Sequence, residues 1–179
     1  MTPLERRGAI VAAALAFGLA AADSTWAAAW DMREIETPLG DKAVAIGVPS
    51  TRFSDVRLVI GCDGDTGARW RGVAVIEAPG SRAGLGMSGD VRVRFGDAAA
   101  RDRWSVKVSP TEHRIFESPE STRFARRLLR EEAASPTAQV TIEIHGVNGK
   151  PVPLTFPLAG LGAKIDKLAA RCADWNLKE

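Results

Sequence analysis

The stretch "AKIDKLAARCADW", residues 163–175, decides how this chain is held together. Ile165, Leu168, Ala169 and Cys172 recur at helical spacing, and Trp175 lies one turn beyond. The spacing predicts a terminal helix carrying a cysteine on its apolar stripe. The other cysteine, Cys62, closes "DVRLVIGC", residues 55–62. Val56, Leu58, Ile60 and Cys62 fall at every second position there, so they share one face of a strand. Both sulfurs are therefore expected on apolar faces that meet in a core. A Cys62–Cys172 bond would tie the last helix to an early strand. Closing a loop of about 110 residues is worth roughly 4 to 5 kcal/mol in the chain-entropy model. The alternative is two separate buried thiols.

Such a bond needs an oxidising compartment, and the other end of the chain bears on that. Arg6 and Arg7 precede an apolar run, "GAIVAAALAFGLAAA", residues 8–22, of signal-core length and short for a membrane span. Ala27-Ala28-Ala29 fits the small-residue pattern of a signal-peptidase site, so cleavage is expected after Ala29. The competing reading is a retained anchor helix. No cysteine follows the apolar core, which argues against a lipid anchor. The expected organisation is a cleaved signal over residues 1–29 and a single domain over 30–179, periplasmic or secreted. Cleavage would remove as many acidic as basic residues and leave the formal charge at +2. A nearly neutral domain does not call for nucleic acid as partner. No later run is apolar enough for stable membrane insertion.

The middle of the chain reads as strands. "KAVAIGVP", "VRLVIGC" and "RGVAVIEA" are apolar runs bounded by turn residues. "DVRVRF" alternates, with Val91, Val93 and Phe95 opposed by Arg92 and Arg94. "RWSVKVS" is expected to turn Trp104, Val106 and Val108 inward, and "QVTIEIHG" to turn Val140, Ile142 and Ile144 inward. Asn148-Gly149 marks a hairpin turn into "PVPLTFPL", whose prolines 151, 153 and 157 suit an edge strand or an irregular one. One internal helix stands out near residues 119–133, with Ser118 as candidate cap and Pro119 as its first residue. Phe124, Ala125, Leu128 and Leu129 form its apolar stripe. Arg123, Arg126, Arg127 and Arg130 are expected to form one outward strip. That strip is a candidate contact for an anionic partner, although such runs are more often solvated surface. The fold class expected is α+β: a mostly antiparallel sheet or sandwich, one internal helix and a C-terminal helix.

Motifs of chemistry fail on context. "GLGMSG", residues 84–89, matches G-x-G-x-x-G, but a strand follows it where a dinucleotide site needs a helix, so it reads as a flexible hairpin loop. "DGDTG", residues 63–67, starts like a calcium loop but has Ala74 at the twelfth position, where a bidentate Glu belongs. His113 and His145 have no neighbouring ligand at metal spacing. There is no nucleophile elbow, no S-x-x-K and no tyrosine. The expectation is a protein that is not an enzyme, with no metal and no cofactor.

The order of these features resembles the TagO or VasI family of type VI secretion-associated proteins. The resemblance rests on "WDMREIETPLGDKAVAI", on Cys62, on "VRVRFGDAAARDRWSVKVS", on "FARRLLREE" and on "LTFPLAGLGAKIDKLAARCADW". Its closing motif is carried by Thr155, Phe156, Leu158, Gly160, Leu161, Ile165, Leu168, Cys172 and Trp175. The chain departs from the pattern at Pro157, where an acidic residue is usual, and at Gly96, inserted before Asp97. The resemblance implies a non-enzymatic periplasmic accessory protein with a protein partner in the cell envelope. The alternative function is a small periplasmic inhibitor or binder of a cell-wall enzyme such as lysozyme.

Overall fold

A computed structural model of the chain describes residues 29–36, 42–62 and 71–172. The expected signal, apart from Ala29, lies outside these residues, as do the "DGDTG" turn and Trp175. Ten strands and two helices are seen among the described residues: β1 Asp31–Glu36, β2 Lys42–Pro49, β3 Val56–Cys62, β4 Arg71–Glu77, β5 Asp90–Phe95, β6 Ala98–Arg103, β7 Ser105–Val108, β8 Arg114–Glu117, α1 Ser121–Ala134, β9 Gln139–His145, β10 Pro151–Pro157 and α2 Leu161–Ala169. They form two antiparallel sheets, one of six strands in the order β1-β2-β3-β4-β8-β7 and one of four in the order β10-β9-β5-β6.

Alternation in the strands builds the core between the sheets. Val56, Leu58, Ile60 and Cys62 of β3 join Val73 and Val75 of β4, and they face Val91, Val93, Phe95, Val140, Ile142 and Ile144 of the other sheet. Each large aliphatic side chain so buried contributes about 1.5 to 3 kcal/mol. Trp30, 1% exposed, seals the start of β1. α1 packs on β4 and β9, and α2 on β2 and β1. Phe124 of α1 meets Phe95 and Trp104, with ring centroids 6.0 and 5.5 Å away.

The staple is present. Cys62 and Cys172 form a disulfide with Cα atoms 6.0 Å apart, and both are buried in the main core. This bond fits an extracytoplasmic, oxidising compartment. Cys172 itself lies just past α2, in a turn where its N–H donates to the Leu168 carbonyl. Ile165 and Leu168 are buried as the spacing requires, whereas Ala169 is exposed, because it ends the helix on the side away from the sheet.

Other details differ from expectation. α1 starts at Ser121, with Glu120 as N-cap and no side-chain cap bond. Ser118 lies two residues before the N-cap, where its N–H still donates to Val73 of β4 and the chain has not left the sheet. Val108 is 52% exposed and not inward. It lies on β7, the edge strand of the six-stranded sheet. β6 was not legible, since all six residues of "AAARDR" are exposed and do not alternate. The prolines of β10 do sit on an edge strand. The Asn148-Gly149 turn does join β9 to β10, with Gly149 at φ +72° and its N–H donating to the Gly146 carbonyl.

Candidate functional site

The arginine-rich helix was the strongest surface signal in the sequence. Its four cations do not form one outward strip. Arg123 and Arg130 are exposed, but Arg126 and Arg127 are half-buried. Residues 126 and 127 flank the outward direction, so their aliphatic stems lie back along the sides of α1. The Arg127 guanidinium sits 4.1 Å from the centroid of the Phe95 ring, and its Nε lies 3.7 Å from Glu131. Arg123 donates to Glu120 at 2.9 Å. Arg127 is thus part of the packing over Phe95, and Arg123 is held by the carboxylate three residues before it.

The "GLGMSG" stretch is built differently from the flexible hairpin expected. It joins β4 in one sheet to β5 in the other, so it is a crossover between layers. It is also pinned. Glu77, 2% exposed, accepts from the Leu85 N–H at 3.1 Å and from Arg114 Nη1 at 2.8 Å, and Arg114 also donates to the Leu85 carbonyl at 2.6 Å. Beyond this anchor the crossover pairs with the β9–β10 turn. Gly86 donates to His145 and Val147 donates to Gly84, each at 2.8 Å. The result is a double loop presenting Met87, 56% exposed, and Val147, 73% exposed. An ion pair with a buried carboxylate, holding two exposed apolar side chains in place, is the arrangement expected of a contact surface. Sequence reasoning missed it, because Glu77 and Arg114 are 37 residues apart. The available signal was the lone methionine among glycines.

A third constellation lies on the outer face of the six-stranded sheet. Asp31 pairs with both Arg33 and Arg57, the latter at 2.7 Å. Burial disfavours the charged carboxylate, but the Arg33 hydrogen bond and the Coulomb attraction of Arg57 and Arg33 outweigh it, so the Asp31 pKa falls below its ordinary 3.8. The Arg57 pKa is lowered by burial and then by the nearby Arg33 charge, with Asp31 opposing both. Arg33 and Arg57 line a groove of about 400 Å³ together with Val59, Ile76 and His113. Ala45, Val59, Ala74 and Ile115 form a small apolar cluster beneath it.

The two histidines stay apart in role. His113 Nδ1 lies 2.9 Å from the Thr111 hydroxyl, and His145 is exposed beside the double loop. Among the described residues, no three His, Cys, Asp or Glu side chains group as metal ligands, and no helix is long and apolar enough to cross a membrane. No family model matches the chain, and no curated protein or solved structure does.

Proposed function

We propose that this chain is a non-enzymatic periplasmic accessory protein of the type VI secretion apparatus, acting by binding a protein partner in the cell envelope. The observation that carries this reading is the Cys62–Cys172 bond, which joins the two segments that anchor the resemblance to the TagO or VasI family. The crossover and hairpin carrying Met87 and Val147 are the surface this reading uses. The test is deletion of the gene in a strain with an active type VI system. Export of the system's tube protein is expected to fall, and to recover when the gene is restored. Unchanged export would reject the secretion role.

A second reading rests on the shape of the double loop. Met87 and Val147 project from a pinned base, a form suited to plugging the cleft of a cell-wall enzyme. In that case purified protein inhibits lysozyme, and a Met87→Asp, Val147→Asp variant does not. No inhibition by stoichiometric wild-type protein would remove this reading.

A further inference from the structure

The N-cap of α1, Glu120, makes no side-chain cap bond, although the helix is 14 residues long. The N-terminus of α1 carries the positive end of the helix dipole. A second observation points at the same place. Ser118 is 3% exposed, and its hydroxyl has no hydrogen-bond partner among the described residues. A buried hydroxyl left unpaired is costly, so it calls for a partner. The neighbouring Ser121 does not supply one: its hydroxyl donates to the Ser118 carbonyl and accepts the Val73 N–H. Ser118 lines an open cleft with Arg71, Ser105, Thr122 and Arg123.

We propose that this cleft binds a tetrahedral oxyanion, a phosphate or the phosphate of a phosphomonoester. The site is independent of the secretion and inhibitor readings. Three kinds of group border it: the N-terminus of α1, Ser118 and the arginines Arg71 and Arg123. A helix N-terminus, a hydroxyl and guanidinium groups together are the set that holds a phosphate. Glu117 and Glu120 also line the cleft, so its formal charge is balanced before any anion arrives. The helix dipole and the hydroxyl tip that balance towards an anion. Arg123 is the adjustable member. It is 80% exposed and rests on Glu120, itself 62% exposed, so exchanging that carboxylate for a bound phosphate disturbs no packing.

The test is an amide NMR titration of the purified protein with inorganic phosphate, with glycerol 3-phosphate, and with sodium chloride at matched ionic strength. Saturable shifts at Thr122 and Arg123 are expected with phosphate and not with chloride. Tighter binding of glycerol 3-phosphate would identify a phosphomonoester as the ligand, and tighter binding of phosphate the free ion. Ser118→Ala and Arg123→Gln should each weaken binding about tenfold. Arg123→Gln keeps the test valid should Ser118→Ala not fold. No saturable shift at about 10 mM phosphate, equal shifts with chloride, or wild-type binding by the folded variants would overturn the proposal.

Discussion

Two arginine groups separate what a sequence advertises from what a fold assembles. On α1, Arg123, Arg126, Arg127 and Arg130 crowd within eight positions and look like a docking strip. In the folded chain Arg127 lies on Phe95 and pairs with Glu131, while Arg123 reaches Glu120. On the outer sheet face, Arg33 and Arg57 are 24 positions apart and attract no notice in the sequence. The register brings them onto one carboxylate, because Asp31 pairs with Gly47 and Gly47 with Val59, two residues from Arg57. Charge density along a chain says little about charge density in space. A helix spreads its neighbours around a cylinder, whereas a sheet stacks distant residues on one face.

The largest expected effect cuts the support shared by both groups. Cys172→Ser frees α2 from β3, and urea unfolding should show a loss of about 4 kcal/mol, as the loop-closure model gives for so long a loop. A loss below about 1 kcal/mol would mean that packing alone holds the terminal helix.

Next comes the arginine with the most buried partner. Glu77→Ala leaves Arg114 without its carboxylate and the Leu85 N–H without its acceptor. A loss of about 2 to 3 kcal/mol is expected, together with faster amide exchange at residues 84–88. Protection of those amides at the wild-type level would show that the double loop holds without its anchor.

Asp31→Asn tests the paired arginines directly. Asp31 is 47% exposed, so the expected loss is only about 1 kcal/mol after solvent screening. Its pH dependence has a definite sign. The folded pKa lies below the ordinary 3.8, so the carboxylate's contribution is complete above that value. It is lost as pH falls through the lower folded value. The difference in stability between wild type and Asp31→Asn should therefore shrink under strong acid. A difference that persists there would assign the loss to packing and not to charge.

The smallest effects belong to the helix. Arg126→Glu with Arg127→Glu should cost at most about 1 kcal/mol, mostly from the contact with Phe95. Arg130→Glu should stay within about 0.5 kcal/mol. Equal losses from Arg127→Glu and Arg130→Glu in thermal melts would restore the picture of a uniform solvated strip.

What the sequence by itself determined is the local pattern and its direct consequences. Period-two alternation placed Val91, Val93 and Phe95 inside, and the prolines of β10 marked an edge, because each depends only on backbone geometry within one segment. The Cys62–Cys172 pairing was legible because two cysteines on apolar faces leave one way to bond. Tertiary structure decided the rest. β6 carries no alternation, and it becomes a strand only because β5 lies beside it. The bond of the Ser118 N–H to Val73, 45 positions earlier, keeps the chain on β4, and the N-cap falls at Glu120 instead. The ion pair of Glu77 with Arg114 and the sharing of Asp31 by two arginines join distant residues by register and packing, and the same packing buries the Ser118 hydroxyl. No local spacing encodes such meetings, because a sheet's lateral order is set by which faces bury the most apolar surface together.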